Sequence, residues 1–165
     1  MLQKTFGGRG YDIAFARHES PIIYEKMGGS PQVRDVDFNP TFQEQLLFFY
    51  LNKKRNSKEA IEQFNSLKDP VTSEVEQISQ LTDAFLRCKN LGNFERLLNE
   101  HEQIVSKTLR LDPVQQLLFP DYFGQVKSLG AWGGDFILAT GNEDTPDYFN
   151  QKGFQTVIPY SNLIL

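Results

Sequence analysis

The chain has 165 residues, 39% of them hydrophobic and 14 of them Phe, enough for one full domain or one domain with part of another. Seventeen Lys and Arg against 21 Asp and Glu leave a net charge of −4, which argues against a nucleic-acid partner, since phosphate affinity needs clustered basic side chains. Cys88 is the only cysteine and His18 and His101 the only histidines, so no disulfide framework, Cys-based metal site or His-rich metal centre is expected. With no signal-like segment and no apolar run near ~18 residues, a soluble cytoplasmic protein without membrane contact is the expectation.

Glycine and proline punctuate the first forty residues. After the turn Gly7-Gly8-Arg9-Gly10, the segment Tyr11 to Arg17 predicts a helix with Asp12 in its first turn. Pro21 to Lys26 reads as a strand, Met27 to Pro31 as a turn, and Val33, Val36 and Phe38 as a strand pairing back. The continuous apolar run Leu46 to Leu51 predicts a buried strand. A polar, basic loop follows, and Ser57 begins a helix through Leu67 that Asp69-Pro70 stops.

Ser73 and Glu76 have capping-box spacing, ahead of a helix carrying Val75, Ile78, Leu81, Phe85 and Cys88 on one face. Asn93 is the expected cap of the next helix, with Phe94, Leu97, Leu98, His101, Ile104, Val105 and Leu109 at helical spacing. Asp112-Pro113 starts a shorter one. Strands are expected at 125–129 and 136–140, flanking the glycine loop Gly130-Ala131-Trp132-Gly133-Gly134-Asp135. Thr145-Pro146 opens a helix that Gly153 closes, and Thr156 to Ile158 is a final strand. From residue 46 the order is thus βαββαβ with extra helices in the first crossover: an α+β fold, a two-layer α/β sandwich of ferredoxin-like type.

Three segments could carry chemistry. Asp12 would sit at the positive end of a helix dipole, which favours its ionised form, and the glycines beside it allow close approach; the alternative is an ordinary acidic residue in a first helical turn. The loop Gly130–Asp135 could aim backbone N–H groups at phosphate oxygens, or be a plain hairpin connection in which Trp132 packs inward. Lys53, Lys54, Arg55, Ser57 and Lys58 put cations at a helix start, suited to an anionic substrate or simply solvated. His101 reads as a boundary histidine and Cys88 as core packing.

In this order the three segments resemble the GHMP kinase family of galactokinase, homoserine kinase, mevalonate kinase and phosphomevalonate kinase. The similarity is greatest to a bacterial mevalonate-kinase-like subgroup whose Gly-Tyr-Asp-Ile-Ala signature stands here as Gly10 to Ala14. The family's Thr-Gly-Ala-Gly-Gly-Gly segment looks like Leu129 to Gly134, and its catalytic Asp falls on Asp12. The resemblance implies residues 1–42 as part of the family's N-terminal domain, carrying Asp12, and 43–165 as its C-terminal domain. It implies ATP and Mg²⁺, with Gly130, Ala131, Gly133 and Gly134 binding nucleotide. Asp12 would serve phosphoryl transfer to a hydroxyl of a mevalonate-like acid bound by Lys53, Lys54, Arg55, Ser57 and Lys58.

Three features depart from the family pattern. Arg9 stands where a small residue is usual, Trp132 replaces a glycine, and neither a Pro-x-Gly-Lys segment nor a Gly-Leu-Gly-Ser-Ser loop is present. The chain is therefore expected to be inactive alone and to need a separate N-terminal kinase half, or a second copy, over the open strands of residues 1–42. The alternative is a non-catalytic small-molecule-binding or interaction domain derived from such a kinase; a decarboxylase of the same superfamily is a third reading.

Overall fold

The computed structural model describes residues 10–25, 30–53, 62, 64–66, 70–130, 132 and 134–163. The chain divides between Asn39 and Pro40 into two compact units.

In the first unit, Gly10 is buried and takes a positive φ of 88°, turning the chain into the short helix α1, Tyr11–Phe15. Strands β1 (Ile22–Glu25) and β2 (Gln32–Asp35) pair antiparallel, with Ile22 opposite Asp35 and Glu25 opposite Gln32. The segment between α1 and β1 is pinned to the end of β2. His18 Nδ1 and Ser20 Oγ both lie on Asp35 Oδ1, at 2.8 and 2.7 Å. The Ser20 hydrogen bond, then that of His18, holds the Asp35 carboxyl below the usual range.

The second unit is built on the apolar run. Leu46–Tyr50 forms β3, one of the two central strands in a sheet of order β4 (Val126–Ser128), β5 (Phe136–Thr140), β3, β6 (Val157–Pro159). All three pairings are antiparallel: Phe48 faces Leu138 on β5 and Ile158 on β6, and Lys127 faces Leu138. The first crossover, from β3 to β4, carries α2 (Thr72–Arg87), α3 (Leu91–Leu109) and α4 (Val114–Leu118), and the second carries α5 (Thr145–Gln151). Residues 62, 64 and 65 are also helical. This is the α+β, βαββαβ order expected from residue 46, two split βαβ units whose strands interleave.

Alternation along the strands sorts the side chains. Leu47, Phe49, Ile137, Ala139 and Val126 share one buried core with Phe119 and with Phe149 of α5. The Phe49 and Phe149 rings stack at 4.0 Å between centroids, and Phe119 lies 4.8 Å from Phe149. Each such pair adds about 0.5–1.5 kcal/mol beyond the area it buries. Leu46, Leu138 and Thr140 are buried on the opposite side of their strands. A second aromatic group, Phe42, Phe85 and Phe94, ties α2 and α3 to the turn before β3, with centroids 5.1 and 5.2 Å from Phe94. Beside α5 the chain makes a tight polar corner. Tyr122 donates to the Thr140 carbonyl at 2.7 Å and meets Thr145 Oγ1 at 3.0 Å. A Cβ on Gly141 would collide with both Thr145 and Tyr122. Burial pushes the Tyr122 phenol up to about 12, so the donor is kept.

Two helix starts differ from the sequence expectation. Val71, not Ser73, is the N-cap residue of α2, and the Ser73 hydroxyl instead bonds Glu74 at 2.8 Å. The cap of α3 is Asn90, whose side chain accepts from the Asn93 N–H at 2.9 Å; Asn93 is the receiving residue. Both Asn residues could cap, and the extended backbone at Asn90 (φ −145°, ψ 154°) decides between them. Cys88 lies past the last turn of α2, half-buried, with its Sγ 3.3 Å from the Asn90 carbonyl rather than in the core. Asn90→Ala is expected to cost about 1 kcal/mol and Asn93→Ala less than about 0.5 kcal/mol, measured by urea denaturation. A larger cost for Asn93→Ala than for Asn90→Ala would return the cap to Asn93.

Candidate functional site

The glycine loop joins β4 to β5, where the sheet's hydrogen bonding ends with Leu129 N–H donating to the Phe136 carbonyl at 3.1 Å. Gly130 is exposed, has φ of 66°, and its Cβ position faces open space. Trp132 has φ of 42°, a region that L-residues avoid, yet its side chain is only 7% exposed. Gly134 is buried. Ala131 and Gly133, two of the four residues expected to bind nucleotide, lie outside the described residues.

Trp132 is turned inward because a carboxylate waits for it. Glu102 of α3 is 1% exposed, and its Oε1 accepts the indole N–H at 3.0 Å. Its Oε2 accepts the backbone N–H of Ser128 at 3.2 Å, and Lys127 Nζ stands 3.5 Å from Oε1. His101 Nδ1 lies 3.8 Å from the same oxygen, too far for a hydrogen bond, and is buried without a hydrogen-bond partner. Burial pushes the Glu102 carboxyl up, but His101, Lys127, Trp132 and the Ser128 amide together outweigh it and hold the group below the usual carboxylate range. Burial likewise lowers the Lys127 ammonium, with Glu102 resisting.

Nothing in the expected chemistry involved Glu102. The signal was present: it falls on the apolar stripe of α3, four residues after Leu98 and three before Val105. A carboxylate at such a position is buried only when partners satisfy it.

The other expected residues are placed as follows. The strand exit that leads to the basic loop is joined to the glycine loop, because Leu51 N–H donates to the Asp135 carbonyl at 2.8 Å. Lys53, two residues on, is exposed at that same end of the sheet, and Asn52 bridges to the Gly153 carbonyl at 3.3 Å with a positive φ of 55°. Lys54, Arg55, Ser57 and Lys58 lie outside the described residues. Asp12 is the second residue of α1, in the first unit, and its side chain is also outside the description. Among the described residues no group of three or more His, Cys, Asp or Glu gathers as a metal site, and no helix is long and apolar enough to cross a membrane.

No family model matches the sequence, and no curated protein matches it. Solved structures do share the fold. A mevalonate kinase superposes with a TM-score of 0.59 at 18% identity, covering 77% of this chain and 43% of that one. The Methanococcus jannaschii mevalonate kinase gives 0.59 at 19%, covering 77% and 43%. The L. major mevalonate kinase solved in complex with R-mevalonate gives 0.56 at 15%, covering 79% and 43%. The chain therefore has a GHMP kinase-like fold and spans less than half the length of those kinases.

Because the Glu102 carboxyl is depressed in the folded state, its contribution to stability is full above the ordinary glutamate range and is lost as pH falls through the depressed value. Acid unfolding of the wild type is expected to steepen below about pH 4.3, and Glu102→Gln to flatten that limb. Parallel curves for the two proteins would show that Glu102 titrates in the folded state as it does in the unfolded one.

Proposed function

We propose that this chain is the C-terminal portion of an ATP-dependent GHMP-type kinase that phosphorylates a hydroxyl of a small mevalonate-like acid. The observation that carries the reading is the meeting of the glycine loop and the exit toward the basic loop at one end of a sheet with the fold of mevalonate kinases. The glycine loop fits a phosphate in one respect: Gly130 is open to solvent while the one bulky residue, Trp132, is withdrawn onto Glu102. ATP with Mg²⁺, when bound, supplies the phosphoryl group and offsets its charge. The chain's residues do the positioning. Gly130, Ala131, Gly133 and Gly134 offer backbone donors to the phosphates. Lys53, Lys54, Arg55, Ser57 and Lys58 hold the substrate's acid group, and Asp12 accepts or orients the proton of the attacking hydroxyl. Residues 1–42 belong to the N-terminal domain and 43–165 to the C-terminal domain, with the remaining kinase half supplied by another segment or polypeptide, in the cytoplasm.

One observation favours a second reading, a non-catalytic domain descended from such a kinase. A tryptophan occupies a glycine position of the loop and is committed to a buried hydrogen bond.

MgATP separates the two. If the chain alone binds nucleotide, MgATP at 100 times its Kd raises unfolding free energy by about 2.7 kcal/mol, read as a thermal shift; no shift at millimolar MgATP, either alone or completed with the remaining kinase half, favours the non-catalytic domain. In enzyme completed with the remaining kinase half, Asp12→Ala is expected to lower turnover about 10²–10⁴-fold, and unchanged turnover would remove Asp12 from the mechanism.

A further inference from the structure

A carboxylate on the apolar stripe of a helix needs a reason to be there. Glu102 is 1% exposed, and Lys127, its charge partner, has a side chain only 16% exposed. Replacing such a buried pair by apolar side chains is commonly neutral or even stabilising, so stability alone does not account for it. What the pair does uniquely is reach the loop. One carboxylate oxygen takes the Trp132 indole N–H at 3.0 Å, and the other takes the Ser128 amide at 3.2 Å, at the last residue of β4. Lys127 Nζ bonds the Ser128 carbonyl at 3.1 Å from the other side. The strand end and the middle of the loop are thus both fastened to α3. Trp132 sits at φ 42°, a conformation an L-residue holds only when its surroundings insist on it.

We infer that Glu102 is the positioning residue of the β4–β5 loop, holding its glycine backbone in one conformation through Trp132 and Ser128, with Lys127 neutralising the carboxylate so that the loop can accept an anion. The fastening is a statement about this chain's own residues; the anion rests on the phosphate-loop reading above.

The sequence carries its own reporter, since Trp132 is the only tryptophan. The decisive variant is Glu102→Met with Lys127→Met, which removes both charges together and leaves the Trp132 indole N–H and the Ser128 amide without their carboxylate acceptor, so its fold is checked directly. Its far-UV circular dichroism should match the wild type, with a melting temperature lowered by the two lost hydrogen bonds. Trp132 emission should shift to the red with greater acrylamide quenching. Hydrogen exchange at Gly130, Trp132 and Gly134 should quicken at least tenfold, and MgATP affinity, measured by equilibrium dialysis, should weaken about tenfold. Trp132→Phe, which removes the indole donor alone, should quicken the same exchange and provides the reading independently of the double variant.

A folded double variant with wild-type emission and exchange would overturn the fastening. A loosened loop with unchanged MgATP affinity would overturn the positioning role. A loosened loop in a protein whose wild type binds no MgATP would sustain the fastening and remove the phosphate-loop reading instead.

Discussion

The arrangement of the second unit depends on α3 running alongside the short strand β4. Two carboxylates, Glu95 and Glu102, stand two turns apart on this helix, a rise of about 10.5 Å. Glu95 receives the Thr140 hydroxyl at 2.6 Å, beside Gln125, and Glu102 receives the Ser128 amide at 3.2 Å. From Gln125 to Ser128 the strand advances about 10 Å. The two spacings therefore match: Glu102 reaches the last residue of β4 directly, and Glu95 reaches the residue before its start through the Thr140 hydroxyl, which accepts the Gln125 N–H at 2.9 Å. β4 is an edge strand, and an edge exposes unpaired amides that invite another strand. Here the Val126 N–H goes to Gln115 at 2.8 Å and the Ser128 N–H to Glu102. At the other edge, β6 ends in Pro159, which has no N–H to offer. Side chains thus occupy the outward amides of β4, and proline removes one donor at the end of β6.

That occupancy bears on where a partner could act. From sequence, the open strands that call for a second polypeptide lie in residues 1–42. In the sheet built on β3, the amides of Val126 and Ser128 are already taken, so strand pairing at β4 would have to displace Gln115 and Glu102. β1 and β2, in contrast, form a two-stranded pair, and two strands alone are marginal in water. The expectation of a covering partner stays with the first unit, the one that carries Asp12.

What the sequence displayed well was anything built on uninterrupted apolar patterning. Leu46–Tyr50 and Phe136–Thr140 are strands where the runs of large apolar residues lie, and Pro146 with Gly153 bounds α5 as read. Patterning fails where several residues can do the same job. Asn90 and Asn93 both suit a cap, and only backbone geometry separates them. It also fails where a residue acts against type. Glu102 was hidden because an isolated glutamate in a helix is usually solvated, and its partners Lys127, Ser128 and Trp132 come from a strand and a loop more than twenty residues away. No local rule could join them. The same holds for the meeting of Leu51 with Asp135, which brings the basic-loop exit to the glycine loop only once β3 and β5 pair.

Trp132 carries the last step. In the left-handed region an L-residue pays roughly 1–2 kcal/mol relative to its relaxed backbone. Burying its large ring recovers more than that, about 1.5–3 kcal/mol, and a hydrogen bond to a charged acceptor adds about 1.5–3 kcal/mol. The sum favours the bent loop with the ring inside. A glycine at this position would tolerate the same φ without strain but would have nothing to fasten it. Substituting tryptophan for glycine therefore trades backbone freedom for a fixed conformation. A loop that must present its amides in one arrangement gains from that exchange, whereas one that must open and close around a ligand loses by it. The buried carboxylate and the strained tryptophan are two halves of one device, and each makes physical sense only in the presence of the other.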